Sequence, residues 1–260
     1  MIGNDGGKDG KRDAESGTLT VPGGEMASAD GTPDRHITVV SAGVGDPSTT
    51  TKLGEAVALE ATRYLRDNGV ETSVRLVDLR PLARDVAVAS VSRQISPALK
   101  KAIGIVATSD GVVAASPVFK ASYSGLFKGF WDVTEPDVML AMPVVVAATG
   151  GSDRHALVPD TDMRSLFAFL RAIVAPTSIM AAGGDWASTG LADREKRAGR
   201  ELGAFILSGV RRAVLDAAGK GYRRSFATAT MDESASAAST ALPDFDSSLM
   251  RLAAGGIGGD

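Results

Sequence analysis

The residues with the most chemical promise stand in three short stretches, each directly after an apolar run. The first is Ser41-Ala42-Gly43-Val44-Gly45-Asp46-Pro47-Ser48-Thr49-Thr50-Thr51-Lys52. Glycines let a backbone approach a ligand closely. Four consecutive hydroxyl residues at a helix start present O–H and N–H donors where the helix dipole favours an anion. Ser41, Ser48, Thr49, Thr50 and Thr51 are therefore candidate phosphate contacts, with plain capping of the helix by Ser48 and Thr49 as the alternative reading. Lys52 opposes the dipole in the first turn unless an anion lies nearby. No G-K-[ST] triplet of the Walker type occurs.

The second stretch runs Ser116-Pro117-Val118-Phe119-Lys120-Ala121-Ser122-Tyr123-Ser124-Gly125. Its backbone can lie along a flat ring and hydrogen-bond the ring's edge, although Phe119 and Tyr123 are equally open to a packing role. The third is Thr149-Gly150-Gly151-Ser152-Asp153-Arg154-His155, where two glycines directly after a strand again signal close backbone approach. Ser152, Asp153 and His155 lie too near one another in sequence to form a hydrolytic triad, and no G-x-S-x-G elbow is present. His155 reads as an exposed loop residue or as a contact to a ring edge.

Composition narrows the rest. The chain has 260 residues, 44% of them hydrophobic, enough for one sizeable core. A formal charge of -3 offers no field to gather nucleic acid or an anionic membrane. With no cysteine and only His36 and His155, thiolate, iron–sulfur and His-rich metal sites are excluded, so any redox chemistry comes from a borrowed cofactor. The amino terminus lacks the apolar core of a secretory signal. The most apolar stretch, Val138 to Ala148, is too short to cross a bilayer and contains Pro143. The expected location is the cytoplasm.

The elements that must position these stretches follow from periodicity. Residues 1–34 have no sustained apolar period and read as a flexible arm. Residues 226–260, rich in Ala, Ser and Gly, read as a tail, leaving 35–225 as the folded domain. Strands are expected at His36 to Ser41, Thr72 to Leu79, Gly111 to Ala115, Pro143 to Ala148 and Thr177 to Ala181. Helices are expected at Ser48 to Asn68, Pro97 to Thr108, Ser124 to Val133, Asp162 to Ile173 and Leu191 to Ala217. The last of these carries Arg211 and Arg212 off its apolar face. Such alternation argues for a three-layer α/β sandwich around a parallel sheet, whose ligands bind beyond the carboxyl ends of the strands.

At the three stretches the chain resembles the NADPH-dependent FMN reductase family of flavodoxin-like proteins, which includes the flavin reductases that serve two-component monooxygenases. The match lies in Ser116 to Asp132 (SPVFKASYSGLFKGFWD), in ATGGSDRH up to His155, and in Pro47-Ser48 to Leu53; it covers about residues 36 to 185. Gly43 and Gly45 stand where many relatives carry Ser and Arg, which shifts phosphate binding to Ser41, Ser48, Thr50 and Thr51.

The resemblance implies a five-stranded parallel sheet of order 2-1-3-4-5 and an enzyme that passes hydride from NAD(P)H to flavin. The FMN phosphate would lie on Ser48, Thr50 and Thr51, and its ring between Pro117 to Ser122 and Thr149 to Ser152. The contacts so implied include Ser116, Pro117, Val118, Phe119, Lys120, Thr149, Gly150, Gly151, Ser152 and His155, and the N–H groups of Gly150 and Gly151 would stabilise charge near flavin N1. The resemblance also implies a homodimer or homotetramer and a monooxygenase partner. Phe127, Phe130 and Trp131, read as unable to share one core, add to the case for assembly. An FMN-containing quinone or azo reductase, a flavodoxin-like electron carrier and a phosphate-binding domain without flavin remain as alternatives.

Overall fold

A computed structural model describes residues 18–19 and 35–218 of the chain. In chain order the elements are β1 (Thr18–Leu19), β2 (Arg35–Ser41), α1 (Thr49–Asp67), β3 (Thr72–Asp78), α2 (Ala83–Ser92), α3 (Pro97–Ala107), β4 (Gly111–Phe119), β5 (Ser122–Tyr123) and α4 (Gly125–Asp132). Then follow β6 (Pro143–Thr149), a π-helical turn (Pro159–Met163), α5 (Arg164–Phe169), β7 (Ile173–Val174), β8 (Ile179–Ala181), α6 (Thr189–Leu207) and α7 (Val210–Ala218).

The strands order as β1-β3-β2-β4-β6-β7, with β8 also on β6 and β5 folded back on β4. Pairings from β3 through β2, β4 and β6 to β7 and β8 are all parallel. Among the main strands this is the 2-1-3-4-5 order of a flavodoxin-like sheet. The additions are short: β5 closes a hairpin, and β1 pairs antiparallel with β3. Of the segment expected to be an arm, only Thr18–Leu19 is described; the remainder of it and the whole expected tail lie outside the described residues.

The apolar residues explain the layering. Along β4, Val112 and Ala114 join one core cluster while Val113 and Ala115 join the other, and β6 splits likewise between Val144 and Val146 on one side and Val145 and Ala147 on the other. A strand that alternates between two buried faces needs helices on both. Helices α1 and α6 cover one face with Leu53, Val57, Leu202 and Ile206; α2 to α5 cover the other with Val86, Leu99, Phe127 and Phe167.

Several expectations are corrected here. Helix α2 was not anticipated: it has no side-chain cap and buries only Val86 and Ala89, so its apolar signal is weak. The helix expected to run to Ile173 ends at Phe169, because Arg171 turns back with φ 59°. The expected final helix is two helices, broken at Gly209 with φ 65°, and Arg211 donates to the Ser109 carbonyl oxygen at 2.6 Å. Most consequentially, Phe127, Phe130 and Trp131 do share one core. Their i, i+3, i+4 spacing puts them on a single helix face. All three are buried, Trp131 meeting Phe130 and Phe167 edge-on with ring centroids 5.1 Å away in both cases. They no longer argue for assembly.

Close helix approach anchors the site side of the sheet. A Cβ added at Gly54 would stand 2.7 Å from Val39 Cγ1, so α1 lies hard against β2. One added at Gly199 would lie 2.6 Å from the Val57 carbonyl oxygen, backbone that cannot yield. Gly199→Ala is therefore expected to cost about 1–3 kcal/mol of stability by overpacking. Gly104→Ala, in α3 with nothing within 4 Å of the new methyl, should gain about 0.5–1 kcal/mol. Urea unfolding of the two variants checks the pair.

Candidate functional site

Because β2, β4 and β6 are adjacent and parallel, their carboxyl ends reach one edge of the sheet. Ser41 is level with Ala115, Ser116 with Ala148, and Pro117 with Thr149. The three stretches singled out from the sequence therefore meet. The Thr50 and Thr149 hydroxyls hydrogen-bond at 2.6 Å, tying the start of α1 to the end of β6 across 99 positions of sequence. A Cβ at Gly150 would be 3.6 Å from His155 Cδ2 and 3.8 Å from Val118 Cβ, so the turn after β6 also touches β4.

Not every candidate side chain is free for a ligand. Ser41 is buried; its oxygen is 2.8 Å from Thr51 Oγ1 and accepts from the Gly43 N–H at 3.2 Å. Thr50 is spent on Thr149. Ser48 is the N-cap of α1 and accepts from the Thr51 N–H at 3.1 Å, so the capping alternative is realised. Gly43 is required for it, since a Cβ there would fall 1.9 Å from Ser48 Oγ. Capping does not empty the helix end. An α-helix leaves its first N–H groups without intrahelical acceptors, and those of Thr49 and Thr50 keep the dipole's positive end available to an anion. Thr49 is exposed there. The peptide before Pro47 is cis.

In the second stretch β4 continues to Phe119 and a hairpin returns through Ser122–Tyr123. Buried Ser116 locks its base, accepting from the Ser124 N–H at 3.0 Å and donating to the Pro117 carbonyl oxygen at 3.0 Å. Pro117 is buried, Val118 half-buried, and Phe119 and Lys120 exposed. Lys120 and Ala121 hold φ of 51° and 70°, the left-handed pair of a two-residue hairpin turn that ordinarily calls for Asn-Gly. The Tyr123 hydroxyl is pushed up from its ordinary value, chiefly because burial penalises the phenolate.

The turn after β6 distinguishes its two glycines. The Gly150 N–H donates to the Ala181 carbonyl oxygen at 3.0 Å and is taken. Gly151 is exposed, and a Cβ there would meet nothing within 4 Å. That open side is where a flat group can lie directly on backbone.

Two further features border the three stretches. Arg80, after β3, donates to the Gly45 carbonyl oxygen at 3.2 Å and stands 3.7 Å from Asp46 and 3.9 Å from Asp78, so it braces the first loop and its charge is already answered. A fourth turn, Ala182-Gly183-Gly184-Asp185-Trp186, follows β8 beside the third, and Gly183-Gly184 after a strand is the same signal that marked Gly150-Gly151.

The comparisons accord with this geometry. Residues 36–187 match the family model described as NADPH-dependent FMN reductase. An NADH-dependent FMN reductase, SfnE, of Pseudomonas putida is 34% identical over 146 residues, covering 56% of this chain and 76% of the relative. An FMN reductase (NADPH) of Pseudomonas aeruginosa is 34% identical over 151 residues, covering 58% and 78%. The crystal structure of an oxidoreductase from Corynebacterium diphtheriae superposes with a TM-score of 0.65 at 36% identity, covering 68% of this chain and 99% of the other. The chain belongs to the NADPH-dependent FMN reductase family. It is an NAD(P)H-dependent flavin reductase, an enzyme that works with FMN and a reduced nicotinamide nucleotide.

The strained hairpin is open to test. Replacing Lys120 by Asn together with Ala121 by Gly should raise stability by about 1 kcal/mol or more, because both residues leave an unfavourable left-handed conformation. The urea midpoint checks this, and an unchanged midpoint would mean that the turn carries no strain.

Proposed function

We propose that FMN lies along the crevice with its phosphate at the start of α1 and its ring between Pro117 to Ser122 and Thr149 to Ser152. The observation that carries this is the open backbone at Gly151, beside a capped helix N-terminus and a rigid hairpin at the same sheet edge. Donors for the phosphate are the N–H groups of Thr49 and Thr50 and the hydroxyls of Ser48, Thr49 and Thr51. Ser41 and Thr50 side chains hold the loops in register from behind, as Ser116 does for the hairpin.

FMN, when bound, supplies the acceptor for a hydride from NAD(P)H. The chain's part is to fix ring orientation and to place a donor at the electron-rich edge. With the Gly150 N–H taken, that donor is the Gly151 N–H. Val118 and Phe119 give the ring an apolar neighbour, and His155 packs behind Gly150.

Assembly into a homodimer or homotetramer is also part of this reading. With the aromatic trio of α4 buried inside the monomer, its support on the surface is Phe169, 74% exposed next to a groove between α4 and α5. A monooxygenase that takes up the reduced flavin rests on the family resemblance, and a cytoplasmic location belongs to the same reading on the composition of the chain. Among the described residues no helix is long and apolar enough to cross a membrane.

Gly151→Ala separates binding from folding. The methyl meets no protein atom, so the unfolding midpoint should stay unchanged, while its intrusion into the ring's place should weaken FMN by about tenfold or more. Titration of FMN fluorescence reads the affinity, and unaltered affinity would remove the ring from this turn. Oxidation of NAD(P)H with free FMN as the consumed acceptor tests the reaction; turnover of a quinone with FMN unconsumed would favour a quinone reductase.

A further inference from the structure

The fourth turn has no role in the crevice as drawn above, yet it is built with care. Strand β8 pairs with β6 so that Ala181 is level with Thr149, which puts residues 182–187 immediately beside the Gly150-Gly151 turn. A Cβ at Gly183 would stand 3.8 Å from the Gly151 carbonyl oxygen, so the two turns are in contact. The Asp185 carboxylate accepts from the Ala182 N–H at 2.8 Å and from Arg194 Nη2 at 2.7 Å, and the same Arg194 nitrogen reaches the Met180 carbonyl oxygen at 3.4 Å. The Ala182 N–H, then Arg194, hold the Asp185 carboxyl below its ordinary range, so the clamp is ionised at neutral pH. What this clamp holds out is Trp186, 42% exposed on the helical turn Asp185–Ala187. An indole left partly exposed offers a flat face on which a planar ligand ring can stack.

Sheet order says which ligand. The flavin phosphate end belongs to the turn after β2 and the ring to the turns after β4 and β6, so a molecule with one phosphate and one ring is fully spanned by three turns. The turn after β8 is the next along the same edge, on the side away from the phosphate. It is left for the second reactant. We propose that Trp186 is a stacking platform for a planar ring of NAD(P)H, held in place by the Asp185–Arg194 clamp; this rests on the FMN placement given under Proposed function. Either heteroaromatic ring of the dinucleotide, nicotinamide or adenine, offers the chemistry that stacks on an indole.

Trp186→Ala should raise KM for NAD(P)H about threefold to tenfold while kcat stays within about twofold, the pattern of lost ground-state binding. The Kd for FMN, from flavin fluorescence, should not move, and Trp186→Phe should recover most of the loss. Reduced nicotinamide mononucleotide as donor resolves the ring: a KM penalty that persists assigns nicotinamide, and one that disappears assigns adenine, both in support. A readout independent of turnover is available because the chain has only two tryptophans. In Trp131→Phe protein loaded with FMN, Trp186 emission should be quenched by iodide, and saturating NAD+ or NADP+ should protect it. Unchanged KM in Trp186→Ala, undiminished iodide access, or a parallel loss of FMN affinity would each overturn the proposal. A wild-type protein that binds no FMN would instead defeat the flavin placement beneath it.

Discussion

Parallel pairing at the centre of the sheet is the constraint from which the rest follows. Strands β2, β4 and β6 run the same way and are hydrogen-bonded as neighbours, so the turns that leave them have no choice but to share one edge. The pairing survives because both faces of these strands are buried, with Val39, Val113 and Val145 toward α1 and α6 and Val40, Val112 and Val144 toward the opposite helices. A polar residue at any of these positions would leave an unpaired group in an apolar layer. The candidate site is thus a by-product of a core that keeps these strands adjacent and parallel.

Within that frame the chain uses much of its polar chemistry on itself. The Thr50–Thr149 bridge, the Ser41–Thr51 contact and the Ser116–Ser124 bond all join one turn to another or to its own helix. Hydroxyls that look like ligand contacts in sequence are largely the fasteners that fix where the backbone of these turns stands. Such preorganisation suits hydride transfer between two planar rings, where orientation and a fixed donor matter more than a titrating side chain.

Legibility in the sequence tracked the strength of local signals. Helix α1 was readable because Leu53, Val57, Ala61 and Leu65 recur at fourfold spacing between a Ser cap and Asn68-Gly69, and β4 and β6 because each opens on a continuous apolar run, Val112 to Ala115 and Val144 to Ala148. The three turns at the shared sheet edge were readable for the same reason: each follows such a strand with glycine or hydroxyl residues. What stayed hidden depended on tertiary facts. Nothing local distinguishes Gly150, whose N–H is bonded to Ala181, from Gly151, where an added Cβ would meet nothing within 4 Å. The turn bearing Trp186 was passed over although its strand was expected, because its place beside Gly150-Gly151 is set only by the pairing of Ile179–Ala181 with β6.

The central claim, that three turns form one flavin crevice, is tested most directly by backbone amide chemical shifts of the 15N-labelled protein on addition of FMN. The expected result is saturable change at residues 43–51, 117–122 and 149–152, with the turns at the opposite sheet edge, around Gly69 and Ser109, left unmoved. Changes centred on the groove between α4 and α5, or spread over one turn alone, would contradict it.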